Sequence, residues 1–264
     1  MNEAQIRDKL KNIRCFLLDM DGTFYLGKNL IPGAMDFLEA LEKTGRTARF
    51  VTNNSSLAYR ERLAGFGVPE KYRDVITSAH AAAHYLKDRF PEGKGYLMGN
   101  HILRQELEEM GLAFTEEEDA DYVLAAFDTE LTYQKLCRVC DLVRAGKPYI
   151  ATHPDFVCPT ETGSIPDTGS MMALIEAATG RKADIILGKP NRGIVDEALR
   201  RTGFPLTELA MVGDRLYTDV ATGTKNGCTG ILVLSGEATM KDVEESDIVP
   251  DLIFPSLYHM IPYL

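Results

Sequence analysis

"CFLLDMDGT", Cys15 to Thr23, runs from four apolar residues straight into two aspartates one residue apart. A short apolar run that ends abruptly in Asp and Gly reads as a strand of a parallel sheet, covered on both faces, stopping where its polar residues begin. Similar runs recur along the chain as "ARFVT", "YVLAAF", "YIAT", "DIILG", "LAMVGD" and "GILVL". Between them lie "GAMDFLEALEKTG", "LAYRERLAGFG", "LTYQKLCRVCDLVRAG", "NRGIVDEALRRTG" and "YTDVATGTKNG". Each of these carries apolar residues at three-to-four spacing and a glycine where a helix should stop. The alternation predicts an α/β fold: a largely parallel sheet with helices on both faces, joined by right-handed crossovers.

The 264 residues are 45% hydrophobic and 26% charged, which suits a folded soluble protein of one large or two modest domains. A net charge of −10, with no basic patch, argues against a nucleic-acid partner. No segment reaches the roughly 18 apolar residues of a membrane span, so no membrane partner is expected. The stretch "MNEAQIRDKLKNIR" lacks the apolar run of a signal peptide, and the five cysteines have no regular spacing. Both features lead us to expect a cytoplasmic protein with reduced thiols. The strand ends richest in chemistry follow Leu18, Val51, Leu187 and Val212. The long stretch between the second and third has its own α/β pattern, which predicts residues 80–183 as a domain inserted into a core made of 1–79 and 184–264.

In open parallel sheets, ligands bind beyond the carboxyl ends of the strands, where strand order reverses. Four inferred strands end there with Asp19 and Asp21, with Thr52 and Asn53, with Lys189, and with Asp214 and Asp219. Carboxylates gathered at one place call for a divalent cation, and Mg²⁺ favours carboxylate, carbonyl, water and phosphate oxygens. Lys189 adds a point charge suited to phosphate, and Thr52 adds a hydroxyl beside the backbone amides opening the next helix. An aspartate so placed can accept a phosphoryl group covalently. Asp19 suits that role, with Asp21 protonating the leaving alkoxide and later deprotonating water.

"DMDGT", "VTNNS", "GKP" and "GDRLYTD" occur in the order, and with the flanking strand character, of the four motifs of haloacid dehalogenase-superfamily phosphatases. The wider chain resembles their NagD-like branch, which includes p-nitrophenyl phosphatases and pyridoxal phosphate phosphatases. Further matching stretches are "IPGAMDFLEAL", "ATHPDFVCPTETGSIPDTGSMMALIEAATGRK" and "ILVLSG". The resemblance implies a Rossmann-like core with an inserted α/β cap of the C2 type. It also implies Asp19 as nucleophile and Asp21 as acid/base, with Mg²⁺ held by Asp19, Asp214 and the main-chain oxygen of Asp21. Thr52, Asn53 and Lys189 would bind phosphate, joined by Asn54, and Asp219 would support the metal shell. The substrate would be a small phosphorylated metabolite, and relatives that dimerise through the cap raise a homodimer as an expectation.

Blander readings stand beside these. Taken alone, "DMDGT" is a strand and a turn, Asp214 an N-cap, and Lys189 a loop lysine. Cys137 and Cys140 lie at helical spacing beside Leu136 and Val143 and read as core; His80 and His84 lack the glutamate of a zinc-protease helix. Asp155, which precedes an irregular Gly/Pro/Thr-rich segment, and Cys158 are the cap's candidates for specificity, with a structural turn as the alternative reading of Asp155. Cys158 stands near a position where pyridoxal phosphate phosphatases tend to carry histidine, which argues against that substrate. Rival functions are a phosphotransferase or mutase using the same aspartyl-phosphate, and a catalytically silent regulator that binds a phosphometabolite. The acid pair argues against the silent regulator, because binding alone requires neither a nucleophile nor an acid/base.

Overall fold

A computed structural model describes residues 1–54, 59–160 and 163–264. The chain divides into two compact units. The first holds Met1–Thr52, the described part of Leu57–Ile76, and Lys189–Leu264, while Asn53, Asn54 and the described part of Thr77–Gly188 make up the second.

In chain order the first unit opens with α1 (Glu3–Leu10), β1 (Cys15–Leu18) and the small antiparallel hairpin β2 (Tyr25–Leu26) and β3 (Asn29–Leu30). There follow α2 (Ala34–Lys43), β4 (Thr47–Thr52), α3 (Tyr59–Gly65) and β5 (Val75–Thr77). The second unit supplies α4 (Ser78–Arg89), β6 (Lys94–Met98), α5 (His101–Glu109), β7 (Ala113–Phe114), β8 (Tyr122–Ala125), α6 (Tyr133–Arg144) and β9 (Tyr149–Ala151). It continues through the antiparallel hairpin β10 (Val157–Thr160) and β11 (Gly163–Pro166), then α7 (Thr168–Thr179) and β12 (Ile185–Ile186). The chain returns to the first unit with α8 (Arg192–Thr202), β13 (Leu209–Gly213), α9 (Ala221–Asn226), β14 (Thr229–Val233), α10 (Met240–Glu245) and β15 (Leu252–Phe254).

The first unit's sheet has the order β15-β14-β13-β1-β4-β5. Numbered within the sheet this is 3-2-1-4-5-6, the dinucleotide-fold order, whose direction reverses between β1 and β13. The ladders of β1 with β4 and β13, of β13 with β14, and of β14 with β15 are parallel. All four residues of β1 and all five of β13 are buried, which is why these segments read as unbroken apolar runs. On one face Ala34, Phe37, Leu38 and Leu41 of α2, spaced as one helical stripe, join Phe16, Leu18 and Phe50 in a single apolar cluster. Edge-to-face ring pairs occur there between Phe16 and Phe37 at 5.5 Å and between Phe24 and Phe50 at 4.8 Å.

The second unit has a parallel sheet of its own, in the order β12-β9-β8-β6-β7. That is the 2-1-3-4-5 order, reversing between β6 and β8. At that reversal Lys135 of α6 donates to Asp128 Oδ2 at 2.6 Å and to the Gly99 carbonyl at 3.0 Å. The core of this unit gathers Tyr96, Met98, Val123, Val139, Val143, Tyr149 and Ile175.

The helices expected from periodicity are present as Ala34–Lys43, Tyr133–Arg144 and Arg192–Thr202, each followed closely by a glycine at positive φ. The helix expected in "LAYRERLAGFG" is described from Tyr59 onward, and the segment 55–58 that should open it lies outside the described residues. Among the strands the sequence reading did not give are Val75–Thr77, Lys94–Met98 and Leu252–Phe254, together with the short Tyr25–Leu26, Asn29–Leu30 and Ala113–Phe114. The segment read as irregular around Cys158 forms the β10–β11 hairpin. Cys140 is buried as expected of a core residue, whereas Cys137 is exposed on α6. His80 completes a capping box with Thr77 at the start of α4, so this histidine serves the helix end. No helix among the described residues is long and apolar enough to cross a membrane.

Glu106 of α5 is only 7% exposed, and its Oε2 has no hydrogen-bond partner among the described residues. Burial, helped by the charge of Glu109, pushes its carboxyl from 4.5 up to about 7. A folded-state value above the unfolded one means stability is lost as pH rises from 4.5 through about 7. Glu106→Gln is therefore expected to raise the melting temperature by a few degrees at pH 8 and to leave it nearly unchanged at pH 5, read by thermal denaturation at both pH values.

Candidate active site

The reversal of strand order between β1 and β13 leaves a crevice at their carboxyl ends. Asp19 follows β1 there, its amide donating to the Val212 carbonyl at 2.9 Å, and Asp214 follows β13. Asp219 joins them from a five-residue π-helical turn, Leu216–Val220, that precedes α9. This turn occupies the place where the sequence pattern called for an ordinary helix start. Gly213 makes the arrangement possible, because a methyl group on it would overlap the Asp219 side chain. One carboxylate oxygen from each of Asp19, Asp214 and Asp219 lies within 4.8 Å of the other two.

Lys189 is the counter-charge. It is 4% exposed, and its ammonium donates to Asp19 Oδ1, to Asp219 Oδ1 at 2.7 Å and to the Val51 carbonyl at 3.3 Å. Burial by itself would strip the proton from this amine, but the charges of Asp19 and Asp219 and the hydrogen bonds to both hold its pKa above the ordinary value. Asp19 feels the opposite balance. Burial pushes its carboxyl up, Asp219 and Asp214 push further, and Lys189 pulls back. Asp214 is raised to about 6 by burial and by Asp219, against the pull of the Glu237 amide.

Asp214 is held by other groups. Its Oδ2 accepts the Glu237 amide at 2.7 Å and its Oδ1 accepts the Thr23 hydroxyl at 3.4 Å. Methyl groups on Gly22 or Gly236 would run into this carboxylate, so two glycines from two loops let their backbones close on it. Ser235 closes the ring by donating to the Gly22 carbonyl at 2.8 Å. The loop 234–237 after β14 was missed by the sequence reading, although "ILVLSG" was noted. Its only sequence mark is its place at the carboxyl end of the next strand in the sheet.

The remaining candidates fall as follows. Asp21 is exposed and shares an isolated bridge with Tyr25, so it stands apart from the three-acid group while lying two residues from Asp19. Thr52 ends β4 and is buried. Asn53 is buried in the second unit, where its amide donates to Asp155 Oδ2 at 3.0 Å, and Asn54 is half-buried. Asp155 follows β9, and Cys158 lies in β10 opposite Ile165.

Three carboxylates and a lysine meet at the switch point of a dinucleotide-type sheet, where such folds bind their ligands. Comparison with known proteins gives the class. Residues 16–113 match the family model described as haloacid dehalogenase-like hydrolase, and residues 186–260 match a second HAD-hydrolase-like model. An acid sugar phosphatase of Staphylococcus aureus is 34% identical over 97% of this chain and 99% of its own length. A 4-nitrophenylphosphatase from Thermotoga maritima is 44% identical with a TM-score of 0.89, over 96% of this chain and 98% of that one. A p-nitrophenyl phosphatase from Archaeoglobus fulgidus is 31% identical with a TM-score of 0.87, over 96% and 99% of the two chains. The chain belongs to the haloacid dehalogenase-like hydrolases, among the phosphatases of that family.

Removing one partner of a buried ion pair strands the other's charge, at a cost of about 3–5 kcal/mol. Lys189→Met is expected to destabilise the first unit on that scale in the absence of divalent cations, measured by denaturant unfolding.

Proposed function

We propose that the chain is a Mg²⁺-dependent phosphomonoester hydrolase acting on small phosphorylated metabolites through an aspartyl-phosphate on Asp19. The observation that carries this reading is the meeting of Asp19, Asp214, Asp219 and Lys189 at the switch point of the sheet. The donor set fits a hard cation. Lys189 bonds Asp19 and Asp219, while Asp214 accepts the Glu237 amide and the Thr23 hydroxyl and contributes an oxygen to the same three-acid group. Asp19, Asp214 and the main-chain oxygen of Asp21 would hold Mg²⁺, with Asp219 supporting that set. Bound there, the ion would neutralise the transferring phosphoryl oxygens.

In this reading Lys189 favours the ionised form of Asp19 against burial and the two neighbouring acids, and a bound cation would add to that pull. A carboxylate oxygen of Asp19 forms the new bond to phosphorus as the ester oxygen leaves with the electron pair of the broken P–O bond. Asp21, exposed and close in sequence to the nucleophile, gives that oxygen its proton. It then takes a proton from the water that attacks phosphorus, and the Asp19–phosphate bond breaks to release inorganic phosphate. Thr52 and Lys189 donate to the phosphoryl oxygens, and the motif assigns Asn53 and Asn54 the same task. Asp155 and Cys158 are assigned to the leaving group. The relatives' names place sugar phosphates and p-nitrophenyl phosphate first in a substrate panel.

The test is phosphate release by the purified protein across such a panel. Asp19→Asn should retain the fold and lose at least about 10⁴-fold in turnover, because an amide cannot attack phosphorus as a carboxylate does. Thorough chelation should abolish activity and Mg²⁺ should restore it. Turnover near wild type in Asp19→Asn, or undiminished after chelation, would refute the assignment.

A further inference from the structure

Within the second unit a buried histidine does work that the chemistry above leaves unused. His153 follows β9 in the turn "THPDF" and is 1% exposed. Its Nδ1 lies 2.9 Å from Thr152 Oγ1, while its Nε2 lies 2.9 Å from Asp167 Oδ1 and 3.2 Å from Thr168 Oγ1. Asp167 is the N-cap of α7, and its Oδ1 also accepts the Thr168 amide at 2.6 Å. Burial alone would raise the Asp167 carboxyl, but the hydrogen bond and charge of His153, with the Thr168 donors, hold it below its usual value. Asp167 is thus a carboxylate, and its partner in the bond is the imidazole Nε2–H.

The same helix end grips the backbone of this turn. The Gly169 amide donates to the Asp155 carbonyl at 2.8 Å, and the Asp167 amide donates to the Phe156 carbonyl at 2.9 Å. The Ser170 hydroxyl donates to that carbonyl as well, at 2.6 Å. Gly169 is required for so close an approach, since a methyl group would overlap the Pro154 carbonyl. The turn delivers Asp155, which accepts the Asn53 amide, and Phe156, which is 62% exposed. A buried ionisable pair is a poor source of stability beside apolar groups of the same volume, and its best-attested use is to select one geometry.

We infer that His153, through its bond to Asp167, is a positioning residue that sets the Asp155–Phe156 turn for the leaving group of the substrate. The inference rests on the role proposed above for Asp155.

The bond can be dissected by side-chain reach. In His153→Gln the amide nitrogen occupies the place of Nε2 and can donate to Asp167. In His153→Asn the shorter amide reaches only the place of Nδ1, toward Thr152. His153→Leu removes both bonds. The measurement is kcat and KM for the best sugar phosphate of the panel and for p-nitrophenyl phosphate, whose good leaving group depends least on contacts beyond the phosphoryl group. Melting curves confirm that each variant folds. We expect Asn and Leu to lower kcat/KM for the sugar phosphate about tenfold, chiefly through KM, with p-nitrophenyl phosphate changed by no more than about twofold and Gln restoring most of the loss. Should Leu not fold, the contrast between Gln and Asn decides the matter alone. A ratio between substrates that does not move, a loss common to both substrates, or equal behaviour of Gln and Asn overturns the inference while leaving the phosphatase reading intact. A wild-type protein that hydrolyses no phosphomonoester brings down that reading, and this inference with it.

Discussion

One ammonium group holds the first unit's site together. Lys189 sits between Asp19 and Asp219, on side chains that are 170 and 30 residues away in sequence, and it is the one cation bonded to the three-acid group among the described residues. Without it, two buried carboxylates would face each other across a few ångströms of low-dielectric interior, where like charges repel strongly. Its position follows from the sheet, because the Val51 carbonyl at the end of β4 takes one of its hydrogen bonds. Asp19, Asp219 on the π-helical turn and the central strands are thus tied through one side chain.

That economy leaves Asp214 outside the lysine's reach, and the fold treats it differently. It receives a backbone amide, a hydroxyl and two glycines in place of a cation. Burial and Asp219 raise the pKa of this carboxylate, so a hard cation beside it would relieve more repulsion than at an acid already paired with an ammonium. The glycines are as much a part of this arrangement as the acid: any side chain at Gly22 or Gly236 would collide with the Asp214 carboxylate.

The second unit repeats the switch-point topology with different polar groups at its reversal. Its sheet has the order of a ligand-binding fold, and the Lys135–Asp128 pair lies at its reversal, with Asp128 buried. The structured polar chemistry lies two strands along, after β9, where His153, Asp167 and the first turn of α7 hold one short turn by side chain and backbone together. A turn fixed at both levels has little conformational freedom left to lose on binding, which is the condition for specificity at modest cost.

Much of this was legible in the sequence. Period and turn residues revealed the β-α alternation because a buried parallel strand needs a continuous apolar run and a helix needs its stripe, and both demands are local. "DMDGT" together with "GDRLYTD" pointed to acids at strand ends for the same reason. Short strands with weak patterns, such as Val75–Thr77 and Lys94–Met98, carried too few residues to stand out, and the β10–β11 hairpin was hidden by its Gly, Pro and Thr content. Only the tertiary structure decided which acid Lys189 would meet, that the Asn53 amide would lie on Asp155, that His153 would face Asp167, and that Glu237 and Gly236 would close on Asp214. Those pairings depend on strand order and on where a π-helical turn or a missing Cβ lets two backbones approach. Neither leaves a periodic trace in the chain, since each is a relation between segments that meet only once the sheet has formed.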